Sequence, residues 1–298
     1  MHNEEIVLDE IKTANIRLFV KREDLIHPFV SGNKFRKLKF NIAEAKKLQK
    51  KTLLTFGGAF SNHIAATAYA GFENGLKTIG VIRGEELADK WMENPTLSFA
   101  EKHGMQFYFE TRANYRQKHT GAYLEKLKDR FGDFFLVPEG GTNKLAVRGC
   151  EEILDFNEYH FDYVCTAVGT GGTISGLINC SQPRQQVLGF PALKGDFLPA
   201  EIRKFASNDN WKLIMDYHFG GYAKVNLELI EFINEFKEKT NIPLDPIYTG
   251  KMMFGILDLI KNGYFKKGSQ ILAIHTGGLQ GISGMNERLK LKNLPIIK

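Results

Sequence analysis

Cysteine is scarce in this chain: Cys150, Cys165 and Cys180 are the only three in 298 residues. They are too few and too apolar in context for a disulfide framework, and no closely spaced cysteine or histidine set has zinc-ligand spacing. No uninterrupted apolar run is long enough to span a bilayer, and the opening Met1-His2-Asn3-Glu4-Glu5 is acidic where a secretory leader is basic and then apolar. These absences leave a cytoplasmic enzyme or binding protein as the expectation, with no membrane partner. Internal repeats and low-complexity linkers are also missing. The net charge of +6 is spread thinly, so the pairs Lys46-Lys47, Lys50-Lys51 and Lys266-Lys267 read as solvated helix faces and turns, not as a nucleic-acid site. The mild positive charge favours the approach of anionic substrates.

What the chain does have is a sizeable apolar fraction, 43%, arranged in alternating short β-rich runs and helical stretches. Strands are expected at Thr52 to Phe56, Thr78 to Ile82, Gln106 to Phe109 and Phe134 to Val137. Helices are expected between them at Asn62 to Asn74, Pro95 to His103 and Ala122 to Arg130, with Gly75 and Gly104 as C-terminal stops. After the turn Pro138-Glu139-Gly140-Gly141 a second α/β series follows. It comprises a helix from Ala146 to Asn157, a strand from Tyr163 to Val168, a helix from Thr173 to Asn179 and a strand from Gln186 to Phe190. Helices at Leu227 to Thr240 and Met252 to Asn262 and a last strand at Gln270 to His275 complete it. Residues 195–223 carry the weakest pattern. The alternation predicts parallel βα units, an α/β fold of two doubly wound domains.

Three local features carry chemistry. Gly169-Thr170-Gly171-Gly172-Thr173 sits between a buried strand and a helix, where glycines admit close backbone approach and the helix start favours an anion. The dinucleotide fingerprint fails because it needs glycine at Ile174, and no Walker lysine follows. A glycine-rich turn without a ligand is the plain alternative. Lys34 lies in the basic stretch Lys34-Phe35-Arg36-Lys37. It reads either as a solvated helix charge or, with neighbouring cations and partial burial lowering its pKa, as a free amine for a Schiff base. Ser61-Asn62-His63 follows a strand and Gly57-Gly58. Ser61 is there a helix N-cap, or a hydroxyl at a carboxylate site, or both. His63 reads first as a packing residue. Tyr248-Thr249-Gly250-Lys251 and His275-Thr276-Gly277-Gly278 are ordinary turns taken singly, although a tyrosine at such a place can move a proton. An amine, a hydroxyl at a helix start and an anion cradle are together what pyridoxal 5'-phosphate requires.

Taken together these motifs, with Lys21-Arg22-Glu23-Asp24 and Ser31 to Leu38, resemble the family of 1-aminocyclopropane-1-carboxylate deaminase and D-cysteine desulfhydrase, in order from residue 21 to residue 278. The resemblance implies a tryptophan-synthase-β-like fold (fold type II), with a large cofactor domain of residues 1–45 and 140–298 and a small inserted domain of residues 46–139. It implies a homodimer and a small amino-acid substrate. It also implies that Lys34 is the Schiff-base lysine, Asn62 contacts the cofactor's 3'-oxygen, and Gly169, Thr170, Gly171, Gly172 and Thr173 hold its phosphate. Ser61 and Tyr248 match catalytic residues near the substrate. Thr249 and Thr276 match positions beside the ring that differ between the two activities, and their hydroxyls place the chain on the desulfhydrase-like side. The rival within this chemistry is cyclopropane opening to 2-oxobutyrate and ammonia, and the rival outside it is a non-catalytic phosphate or nucleotide binder. The chain is shorter than its relatives near its start and around residues 181–200. Phe60 stands where a glutamine is common, which bears on substrate choice.

Overall fold

The last strand of the chain lies in the middle of its largest sheet. In the computed structural model that sheet has six strands in the order β1-β2-β10-β7-β8-β9, formed by Asn3–Ile6 (β1), Arg17–Lys21 (β2), Tyr163–Val168 (β7), Gln186–Pro191 (β8), Trp211–Leu213 (β9) and Gln270–Ile274 (β10). Only β1 runs antiparallel to its neighbour. A second, wholly parallel sheet takes the order β5-β4-β3-β6 from Thr52–Gly57 (β3), Lys77–Arg83 (β4), Met105–Glu110 (β5) and Phe135–Val137 (β6).

The reason for the doubly wound arrangement is visible residue by residue. Along β7 and β10 successive side chains point to opposite faces: Cys165, Ala167, Ile271 and Ala273 enter one apolar cluster, while Val164, Val168, Leu272 and Ile274 enter another. Both faces are buried, so helices must cover both. They are Asp9–Thr13 (α1), Asn33–Lys47 (α2), Asn62–Glu73 (α3), Pro95–Lys102 (α4), Arg112–Tyr115 (α5) and Gly121–Phe131 (α6). Lys144–Glu151 (α7), Gly172–Cys180 (α8), Leu198–Arg203 (α9), Leu227–Thr240 (α10), Thr249–Lys261 (α11) and Gly281–Lys290 (α12) complete the set.

Elements expected from periodicity appear within a few residues of their forecast ends, with one instructive difference. The helix expected to reach Asn157 stops at Glu151, and Asp155 instead caps a short 3-10 turn, Phe156–Glu158. Buried Ile153 and Leu154 continue the apolar pattern past the break, while Asp155 favours a cap over a helix interior. The boundary that the resemblance implies between residues 45 and 46 lies within α2. That helix packs Leu38, Ile42 and Ala45 against Leu53, Ala66, Ala70 and Val137 of the smaller sheet's layer. The three cysteines are unpaired, no cluster of metal-ligating side chains is present, and no helix is long and apolar enough to cross a membrane.

Candidate active site

A cavity of about 660 Å³ lies where the loops following strands of both sheets meet. Its base is the start of α2. Gly32, with φ +60°, abuts the β10–α12 loop so closely that a Cβ there would lie 2.0 Å from the Thr276 carbonyl oxygen. Asn33 N–H donates to that same carbonyl. The next residue is Lys34, half-buried and lining the cavity. Burial first, and the charge of Lys37 second, lower its pKa to about 7, so about half of the amine is unprotonated at neutral pH. Its Nζ donates to Asn33 Oδ1 at 3.0 Å, and Asn33 Nδ2 donates to Thr173 Oγ1 at 2.8 Å. The amine is thereby linked to the glycine-rich loop.

That loop leaves β7 at Val168 and enters α8 at Gly172. Gly171 is the N-cap in the left-handed region, φ +86°, where a side chain would be strained and would press on Ile202. The first-turn N–H groups of α8 lack helical partners and present partial positive charge. Thr170 is fixed by a 2.6 Å hydrogen bond between its hydroxyl and that of Thr142. Gly169, Thr170, Gly171 and Thr173 line the cavity, whereas Gly172 lies behind them against Thr142. Lys37 donates to Gly140 O at 3.0 Å and Thr142 Oγ1 at 3.2 Å, so this second lysine is tied into the wall.

Across the cavity, Ser61 is the N-cap of α3, its Oγ accepting from Ile64 N–H at 3.4 Å, and it lines the cavity at the same time. Asn62 also lines it. Asn62 Oδ1 is buried without a partner, and Asn62 Nδ2 lies 2.6 Å from where a Gly278 Cβ would stand. His63 is buried with Nε2 2.7 Å from Thr55 Oγ1. Since Thr55 gives its proton to Val137 O, His63 Nε2 is the donor in that pair and Nδ1 is an unpartnered acceptor. Burial, then Lys34 and Lys37, hold the His63 pKa well below its usual value, so the imidazole is neutral.

Tyr248 is the residue preceding α11 and lies against Gly169. Tyr222 stands beside it with ring centroids 6.3 Å apart. Burial raises both phenol pKa values, Tyr248 more than Tyr222, and the Arg83 charge offsets part of the rise at Tyr222. Arg83, the last residue of β4, lines the cavity with its guanidinium 5.8 Å from the Tyr115 ring.

Of the residues singled out from sequence, Lys34, Ser61, Asn62, Gly169, Thr170, Gly171, Thr173, Tyr248 and Thr276 line one cavity. Thr249 does not. Its hydroxyl donates to Asp245 Oδ1 and accepts from Asp245 N–H, so it closes the loop before α11. Phe60 is also outside the lining, packed on Gly284 of α12. Tyr222, Arg83 and Lys37 were missed. Tyr222 lies in the weakly patterned stretch, and Arg83 ends a strand with nothing local to distinguish it from a surface cation.

These residues fit pyridoxal phosphate: an amine with a lowered pKa, a helix start able to receive a phosphate, and an orphaned buried amide oxygen at Asn62. Residues 7–277 match the family described as pyridoxal-phosphate dependent enzyme. A Pyrococcus horikoshii protein provisionally named 1-aminocyclopropane-1-carboxylate deaminase is 30% identical over 304 residues, covering 91% of this chain and 87% of that protein. The mitochondrial bifunctional D-cysteine desulfhydrase/1-aminocyclopropane-1-carboxylate deaminase of Arabidopsis thaliana is 31% identical, covering 89% of this chain and 73% of that protein. A crystal structure described as an ACC deaminase homologue matches with a TM-score of 0.82 at 25% identity, over 97% of this chain and 93% of that one. The fold is therefore fold type II, and the chain belongs to the family of pyridoxal-phosphate-dependent enzymes that includes 1-aminocyclopropane-1-carboxylate deaminase and D-cysteine desulfhydrase.

Proposed function

We propose that the protein deaminates a small amino acid by removing its α-proton and expelling a β-substituent, with D-cysteine giving pyruvate, sulfide and ammonia. The observation that carries this reading is the Lys34 amine, with its pKa near 7, in a cavity whose opposite wall is the start of α3. Bound pyridoxal phosphate supplies an electron sink for the substrate's α-carbon. The first turn of α8 with Thr170 and Thr173 would hold the phosphate, and the Asn62 side chain would meet the ring oxygen. Ser61 Oγ and the first N–H groups of α3 receive the substrate carboxylate. The Lys34 amine would hold the cofactor's aldehyde carbon, and the same amine would accept the substrate's α-proton. Tyr248 and Tyr222 remain protonated at neutral pH, so they donate; a proton from this pair accompanies the departing sulfur as the C–S bond breaks. Water then converts the remaining imine to the keto acid and ammonia.

Opening of 1-aminocyclopropane-1-carboxylate to 2-oxobutyrate and ammonia is the second reading. One feature favours it: the Asp245 carboxyl carbon lies 3.5 Å from the position a Gly278 Cβ would take, so a buried carboxylate stands close behind the cavity wall. With Thr249 outside the lining, Thr276 alone supports the desulfhydrase-like choice. Steady-state release of sulfide from D-cysteine, set against 2-oxobutyrate from the cyclopropane, decides between them; cyclopropane opening at an equal or greater kcat/KM overturns the first reading. The same reading carries a homodimer in the cytoplasm, which sedimentation of the holoenzyme checks for the dimer.

A further inference from the structure

Tyr222 is held by a loop that its own backbone preferences do not favour. Phe219, Gly220, Gly221 and Ala223 all have positive φ, at 52, 89, 113 and 54°. Two of the four carry a Cβ, and such residues persist only where surroundings over-determine them. The surroundings here are α11. At one end of the segment Tyr217 packs over Gly255, where a Cβ would come within 2.7 Å of its ring, and its hydroxyl donates to Asp258 at 2.7 Å. At the other end Lys251, 2% exposed, sends Nζ to the carbonyl oxygens of His218 and Gly221, both at 2.8 Å.

The Lys251 ammonium has no carboxylate in contact. Asp245, whose charge reaches it from a distance, accepts instead from the N–H groups of Ile247, Tyr248 and Thr249 and from the Thr249 hydroxyl. The cation is buried and its two partners are main-chain carbonyls, the donor type that proteins offer to potassium-sized ions. Burial lowers its pKa to about 8, so it is mainly charged at neutral pH. Lys251 lies in the first turn of α11, the helix that Tyr248 precedes, and Gly221 immediately precedes Tyr222. One ammonium therefore ties together the backbones that carry both phenols.

We propose that Lys251 is a positioning residue, its ammonium filling a carbonyl site fit for a monovalent cation and thereby setting the placement of Tyr222 against Tyr248. This rests on the reading that the two phenols meet the substrate. The test uses holoenzyme carrying Lys251→Met and, as the variant safer for folding, Lys251→Gln, each alone and combined with Tyr222→Phe, assayed with potassium, ammonium or tetramethylammonium chloride. A displacement near 1 Å costs up to about 100-fold in rate. The expected result is a kcat lowered about 10- to 100-fold with the cofactor's absorption retained, partial restoration by potassium or ammonium only, and no added loss when Tyr222→Phe is already present. An unchanged kcat in the folded variant, a fully additive double variant, or equal restoration by tetramethylammonium overturns the proposal. Hydrogen exchange of residues 218–223 in the holoprotein separates this outcome from failure of the activity reading. Exchange that does not quicken in the variant overturns the proposal even if no substrate is turned over, and exchange that quickens and is slowed again by potassium supports it.

Discussion

The two walls of the cavity are built differently. The wall from the six-stranded sheet is backbone and anchored aromatic: Gly169 to Gly171 at a helix start, Tyr248 on its loop, and Thr276 to Gly278 pressed onto Gly32. The wall from the four-stranded sheet presents side chains: Ser61, Asn62, and Arg83 at a strand end. Glycine backbone can approach a group of fixed shape and charge, such as a phosphate, whereas side chains are the means of reading a variable one. On the proposed reading the first wall would grip the cofactor's phosphate, and the second, beyond the Asn62 contact to the cofactor ring, would receive the substrate.

Lys34 stands between the walls, so its loss is the severest break of that division. Lys34→Ala is expected to lower turnover by about 1,000-fold or more and to remove the borohydride-fixable yellow absorption. Peptide mapping after reduction of wild type should find Lys34, and a different labelled lysine would overturn the assignment. Next comes Tyr248→Phe, which sharpens the comparison because Tyr248 belongs to the gripping wall yet is proposed to donate a proton. It is expected to cost about 100- to 10,000-fold in kcat while the cofactor's absorption stays.

Gly171→Ala tests the grip itself. A side chain at φ +86° and 3.2 Å from Ile202 costs about 1–2 kcal/mol, and cofactor titration should show about tenfold weaker binding. Arg83→Met tests the reading wall: it should raise KM a few-fold, lessen its salt dependence and leave cofactor affinity alone, and a loss of cofactor instead would erase the distinction. The smallest effect is on stability. The Lys34 pKa falls from an ordinary 10.5 in the unfolded chain to about 7, so between those values the unfolded chain binds more protons. Apoprotein stability therefore rises as pH climbs from about 7, and Lys34→Met should flatten part of that rise in denaturant melts at pH 7 and 9.

Much of this was legible in the sequence, for identifiable reasons. Strands buried on both faces gave continuous apolar runs, as at Tyr163 to Val168, and glycine clusters marked the loop that follows. Ser61 was readable as a cap because it follows a strand and a glycine pair and precedes an apolar helix. The illegible parts depend on distant partners. Thr249 looked like a cavity residue, but its hydroxyl is taken by Asp245, and the seat of Phe60 on Gly284 comes from α12, far along the chain. Tyr222 lies on a loop whose shape is imposed by Lys251, 29 residues later in a helix, and no local pattern signals such a tie.

The central place of β10 also bears on how the molecule is made. Residues 270–274 slot between β2 and β7, which the ribosome delivered long before, and the carbonyl of Thr276 then meets the turn ahead of Lys34. During synthesis every strand of the four-stranded sheet is out once residue 137 has emerged, yet the lysine's surroundings stay unfinished until nearly the whole polypeptide is out. Capture of the cofactor therefore acts as a completion signal: a nascent chain released before residue 278 should fold its smaller sheet and remain colourless.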